Sequence, residues 1–218
     1  MVVCGGALTY FSIQKDKKLQ EQTAKVETTG KAAIGGECTV VKSDGTPVSD
    51  VNYKGQFSLL YFGFTYCPDI CPNELVKIGK IVEELDQRLR GSGLSTQMDA
   101  DPRKYSLKPV FISVDPARDS LSQLSHYAKD FHASIDWLTG TMDQIADITR
   151  AFRVYFSKAN QHEDDEEDYL LDHSIVLYLM APDGSFVEFY TQRMLVSEII
   201  EKMEKQMRLY HAGGKDAN

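Results

Sequence analysis

Apolar positions along this chain change their spacing several times, and each change marks an element. Residues 57–64 form a continuous apolar and aromatic run without proline, the pattern of a buried strand. Beyond it Leu75, Ile78, Val82, Leu85 and Leu89 recur at helical spacing, so a strand turns into a helix between the two segments. Upstream, residues 38–42 and 47–50 flank the turn sequence Ser43-Asp44-Gly45 and predict a small hairpin. Downstream, Pro109-Val110-Phe111-Ile112-Ser113-Val114 is a β-branched apolar strand ended by Asp115-Pro116. Ser120 with Gln123, and Thr141 with Gln144, fit capping boxes and predict two helix starts. Residues 175–180 and 185–190 read as a second hairpin through Ala181-Pro182-Asp183-Gly184, and 197–210 as a closing amphipathic helix. Residues 91–108, holding Gly, Ser, Asp and Pro, read as a surface insertion.

The candidate chemistry sits at the first strand-to-helix turn, in Phe62-Gly63-Phe64-Thr65-Tyr66-Cys67-Pro68-Asp69-Ile70-Cys71-Pro72. Unpaired backbone N–H groups and the positive end of the macrodipole favour thiolate there, the form that attacks disulfides and binds metal. Residues four apart on one helical turn have α-carbons about 6 Å apart, inside the span of a disulfide. Copper binding and reversible oxidation are both open to Cys67 and Cys71 on this reading.

Composition narrows the setting. With 218 residues and 42% hydrophobic content the chain builds one sizeable core. A net charge of −8, with both signs interspersed, argues against a nucleic-acid binder, which needs a basic face. The cysteines at 4, 38, 67 and 71 make no disulfide framework, and only the last two are close enough to share a site. Residues 2–13 are apolar apart from Thr9 and Ser12 and end at Lys15-Asp16-Lys17-Lys18, a membrane-surface flank, but they are shorter than the roughly 20 residues a spanning helix needs. The expected organisation is a truncated membrane anchor and basic flank at 1–18, a tether at 19–32, a folded domain at 33–211 and a disordered tail at 212–218.

The element order matches a thioredoxin-like architecture: an α/β fold with a central sheet flanked by helices and an added N-terminal β-hairpin. Tyr169-Leu170-Leu171-Asp172-His173-Ser174 places His173 at the entrance to the first strand of the late hairpin, a loop region that lies beside the cysteine turn in such folds. Three segments together carry a closer resemblance: residues 61–72 with their CPxxC core, residues 109–118 with PVFISVDPxR, and residues 168–174 with DYxxDHS. From about Gly35 to the last helix the chain resembles the Sco family of copper-binding proteins that assist assembly of cytochrome c oxidase. That resemblance implies a thioredoxin-like domain on a single anchor in the mitochondrial inner membrane, facing the intermembrane space. It also implies delivery of copper, or of reducing equivalents, to the dinuclear copper site of oxidase subunit II, and an upstream intermembrane-space copper donor. Carried onto matching positions, it makes Cys67, Cys71 and His173 the metal ligands. Two thiolates and an imidazole suit copper(I) by softness, and hold copper(II) if a weak fourth ligand or water completes the shell.

Departures and plainer readings stand beside this. Cys38 follows Gly-Gly where the family usually has an apolar residue, Thr191-Gln192-Arg193 replaces a GQN-like end, and the 91–108 insertion is longer than in compact members. By the positive-inside rule Lys15, Lys17 and Lys18 would hold the domain on the inner side, against the resemblance. The alternative function is a thiol-disulfide oxidoreductase that uses Cys67 and Cys71 as a redox pair and carries no copper. A peroxiredoxin-like peroxidase is excluded, since Thr65 stands two residues before Cys67, not three. His126, His132, His162 and His211 read as surface or helix-end residues, Cys38 as a small buried apolar residue, Cys4 as part of the anchor, and residues 163–168 as a solvated acidic loop. Asp69 and Asp172 flank the ligands and would orient His173 or shift thiol acidity, or Asp69 would accept helix N–H bonds.

Overall fold

A seven-stranded mixed sheet organises the computed structural model, which describes residues 34–91, 105–158, 171–173 and 175–213. In chain order the elements are β1 (Thr39–Lys42), β2 (Pro47–Ser49), β3 (Phe57–Gly63), α1 (Ile70–Gly91), β4 (Leu107–Ser113), α2 (Leu121–Tyr127), β5 (Asp136–Thr139) and α3 (Met142–Ala151). They continue with β6 (Phe156–Lys158), β7 (Leu171–His173), β8 (Val176–Met180), β9 (Phe186–Thr191) and α4 (Val196–His211). The spatial order is β2-β1-β5-β4-β3-β8-β9, with β3, β4 and β5 parallel and the flanking pairs antiparallel. Strands covered on both faces read as near-continuous apolar runs, and β3 is buried throughout, with Ser58 its one non-aromatic polar side chain.

Side-chain alternation divides the core into two layers. Odd-numbered positions of β3 face α1, α2 and α4: Tyr61 lies 6.1 Å from Phe111, Phe57 lies 5.5 Å from Tyr210, and Trp137 on the same face meets Tyr127 of α2 at 5.7 Å. Even-numbered positions face α3, where Phe62 meets Phe152 at 5.3 Å. The fold is thioredoxin-like, and the expected N-terminal hairpin joins the sheet through the antiparallel β1–β5 pair.

Several expectations change in detail. β5 was not anticipated, because four residues are too few to show a period and only pairing beside β4 makes Trp137 and Leu138 a strand. α1 continues to Gly91 and β4 begins at Leu107, so both ends of the expected insertion belong to regular elements. On α1 the fully buried stripe is Leu75, Ile78, Ile81 and Leu85, with Val82 only half-buried. Thr141 and Gln144 form the reciprocal capping box at 3.2 and 2.8 Å, whereas at α2 Ser120 caps Gln123 N–H at 3.2 Å without the return bond. The expected anchor and tether, most of the 91–108 insertion, the acidic run 163–168, and residues 214–218 of the tail lie outside the described residues. Among the described residues no helix is long and apolar enough to cross a membrane.

Candidate metal and thiol centre

Parallel strands β3 and β4 end side by side, and the cysteine loop leaves from the carboxyl end of β3, the usual position for a site in a parallel sheet. Cys67 and Cys71 are both in the thiol form and are brought together: the Cys71 backbone N–H donates to Cys67 Sγ at 3.4 Å. Cys67 keeps 8% of its surface while Cys71 has none. Cys71 is held from the sheet side as well, because the buried Tyr61 hydroxyl donates to its sulfur at 3.3 Å. A side chain at Gly63 would have no room, since a Cβ there would stand 2.9 Å from Cys71 Sγ and 2.9 Å from the Phe111 ring.

At Cys71 the helix-start argument for thiolate meets opposing effects. Interaction with the Cys67 sulfur, and then burial, push the Cys71 thiol well above the ordinary cysteine range, outweighing the opposing hydrogen bond from Tyr61. For this fully buried sulfur beside a second sulfur, those effects oppose the thiolate that the macrodipole favours. Cys67 has the contrasting setting, with the α1 N-terminal N–H aimed at its sulfur and an opening to solvent, which suits the attacking or metal-accepting partner.

The segment after β4 builds the loop's scaffold, a role that sequence reasoning did not assign. Asp119 is buried and accepts from the Thr65 backbone N–H at 3.1 Å, the Thr65 hydroxyl at 2.6 Å and the Ser113 hydroxyl at 2.6 Å. Gln123 adds a bond to Thr65 Oγ1 at 3.1 Å, and the Val114 N–H reaches Gly63 O at 2.9 Å. Arg118 pairs with Asp115 at 2.6 Å and lies over the rings of Phe64 and Tyr66, at 5.8 and 4.9 Å. Both sides of Thr65-Tyr66 are thus clamped, and Tyr66 is left half exposed beside Cys67. The available signals were a tyrosine inside a buried strand, whose hydroxyl needs a partner, and two aspartates four apart just past a strand end.

His173 is placed by its backbone. It lies in β7, opposite Phe156 in a two-stranded antiparallel sheet with β6, with Asp172 opposite Ser157. His173 thus stands just ahead of β8, the first strand of the late hairpin, and the expected loop there is a short strand that pairs in a separate sheet. The turn into β6 follows α3 through Arg153, whose φ of 54° is left-handed and ends the helix. Among the described residues no group of three or more His, Cys, Asp and Glu side chains is arranged to hold a metal ion, and the His173 side chain lies outside that description. Asp69 accepts from the Asn73 side chain at 2.8 Å on the exposed surface. His126 is exposed at the end of α2, His132 bonds Ser134 Oγ at 2.7 Å, and His211 ends α4 against Tyr105 at 4.2 Å. Cys38 is half-buried, and Cys4 and His162 lie outside the described residues.

Fold and site together define a thioredoxin-like domain with a paired-thiol loop at a strand-to-helix junction. The sequence profile of the SCO1/SenC family matches residues 26–208, and the chain belongs to that family. Protein SCO1 homolog 1, mitochondrial, of Arabidopsis thaliana is 37% identical over 211 residues, covering 94% of this chain and 58% of the relative. Protein SCO2 homolog, mitochondrial, of Bos taurus is 35% identical over 209 residues, covering 95% and 72%. The chain therefore spans less than two thirds of the Arabidopsis relative's length. The crystal structure of Arabidopsis thaliana ScoI with copper bound is 39% identical with a TM-score of 0.68, covering 82% of this chain and 100% of that one. That of yeast Sco1 with copper bound is 35% identical with a TM-score of 0.67, covering 85% and 97%.

Proposed function

We propose that this chain is a copper metallochaperone that serves assembly of the dinuclear copper site of cytochrome c oxidase subunit II, with Cys67, Cys71 and His173 as the copper ligands. The observation that carries the reading is the convergence of two cysteine sulfurs at one helix start, with Cys71 N–H on Cys67 Sγ at 3.4 Å, in a chain 39% identical to a copper-bound ScoI. Two thiolates match copper(I) in softness, and the third position falls to an imidazole. Binding displaces the thiol protons, so loading draws on the reduced pair only. In this reading the domain faces the intermembrane space from an anchor in the mitochondrial inner membrane, takes copper from a donor there and passes it on.

The thiol-disulfide reading has its own support in the asymmetry of the pair. Cys67, the more exposed sulfur, would attack a target disulfide and form a mixed disulfide. Cys71, buried beneath it, would then displace the target thiol, so two electrons and two protons pass from the pair to the target. The same residues perform both tasks in turn, and oxidation to the disulfide removes the electron pairs that copper uses.

Anaerobic copper(I) titration of reduced and diamide-oxidised protein, with the redox potential of the pair measured on the same sample, tests the function. One copper per reduced chain and none per oxidised chain is expected. Equal uptake by both forms would overturn the ligand assignment.

A further inference from the structure

The sheet face opposite Cys71 carries a cavity that the thiol chemistry does not use. Its volume is about 220 Å³, and it lies between α3 and the even-numbered side of β3. Leu60, Val110, Ile112 and Phe152 make its walls apolar. Ser58, also lining it, is 2% exposed, and its hydroxyl has no hydrogen-bond partner among the described residues. A buried hydroxyl without a partner is costly to a fold, and native structures satisfy nearly all of them. Cys38 lines the same cavity as a half-buried free thiol.

The size and charge of this space select a ligand. A dry cavity of about 150 Å³ accepts benzene, so the present one has room for one ring and a substituent. Glu37, Asp50 and Asp183 border it, and its one bordering lysine, Lys54, is paired with Asp50 at 3.4 Å. Anions are repelled at such a rim, and a cation would have to shed its water against apolar walls. A mostly apolar pocket with one or two convergent polar groups is the general form of a small-molecule site.

We propose that this cavity binds a small, uncharged, monocyclic aromatic molecule carrying a single hydroxyl or carbonyl, with Ser58 as its polar anchor and Cys38 flanking it. The site is independent of copper and of the Cys67–Cys71 pair, which lies on the other side of the sheet.

Cys38 supplies a local reporter. The full chain, reduced, is treated with iodoacetamide in the presence of p-cresol or toluene, and alkylation of each cysteine is followed by peptide mass spectrometry. By mass action, p-cresol at ten times its dissociation constant slows alkylation of Cys38 about elevenfold and leaves Cys67 and Cys71 unchanged. Ser58→Ala removes only an unpartnered hydroxyl and so keeps the fold. It weakens p-cresol about fivefold and toluene not at all, the loss expected for one hydrogen bond. Calorimetric titration of both probes gives these affinities without relying on the thiol. Absence of both protection and heat up to the solubility limit would show that water alone fills the cavity, and the proposal would fall. An unchanged p-cresol affinity in Ser58→Ala would equally overturn it.

Discussion

The hydroxyl of Tyr61 donates to the sulfur of Cys71 at 3.3 Å from inside the sheet, so the central strand itself tunes the thiol pair. Tyr61→Phe keeps the ring and deletes the hydroxyl that makes this bond. The variant is expected to lose about 1 kcal/mol of stability, the net worth of one hydrogen bond. If Cys71 is a ligand, copper(I) affinity falls by about tenfold, as for other groups that support a metal ligand without touching the metal. Urea unfolding and chelator competition on the same variant read the two effects separately.

Gly63 stands against that sulfur, and its replacement tests how tightly the loop is packed. In Gly63→Ala the new methyl would meet Cys71 Sγ and the Phe111 ring, both at 2.9 Å, and neither belongs to a side chain with a free end. Overpacking of this kind costs about 1–3 kcal/mol. A midpoint of urea unfolding equal to wild type would show that Cys71 yields readily.

Asp119 is the strongest single clamp on the loop. Asp119→Ala leaves the Thr65 N–H, the Thr65 hydroxyl and the Ser113 hydroxyl to find new partners in a buried site. A loss of about 3 kcal/mol or more is expected. Asp119→Asn keeps an acceptor and is expected to lose less. Faster alkylation of Cys67 in both variants would report the loosened loop, and equal stability of Ala and wild type would contradict the clamp.

Asp136 gives the pH dependence. Burial by itself would raise its carboxyl, but hydrogen bonds and charge from Lys108 and Lys42, at 2.7 and 2.8 Å, hold it below the usual carboxylate range. A folded value below the unfolded one means that this stabilisation is full above about pH 3.9 and is lost as pH falls through the lower folded value. The stability gap between wild type and Asp136→Asn should be present near neutrality and close over that acidic window in urea titrations. A gap that widens on acidification would reverse the sign.

His173→Ala separates metal binding from thiol chemistry. Two thiolates still hold copper(I) in a two-coordinate arrangement, whereas copper(II) prefers nitrogen ligands and a tetragonal shell. Partial retention of copper(I), weakened by at least about tenfold, and near-complete loss of stable copper(II) are expected, with disulfide reduction intact. Chelator competition and the visible copper(II)-thiolate band measure these. Unchanged binding of both states would make His173 structural and leave a thiol-disulfide reductase.

Local pattern alone determined a large share of this protein. A strand without proline, a helix start with Cys67 and Cys71 four apart, the caps at Ser120 and Thr141, and the late hairpin are all set by neighbours in sequence, so they were legible as residue spacing. Tertiary structure decided what depends on distant partners. β5 is a strand because β4 offers it a ladder, and Asp119 matters because the fold carries it 54 positions back along the chain to Thr65. The inequality of the two cysteines also belongs here. Their identical type and near-identical position gave no sign of it, and it arises because Tyr61, Gly63 and the sheet bury one sulfur completely while the turn leaves the other a narrow opening to solvent. Burial and charge at a point are sums over everything packed around it, and that sum exists only once the chain has closed on itself.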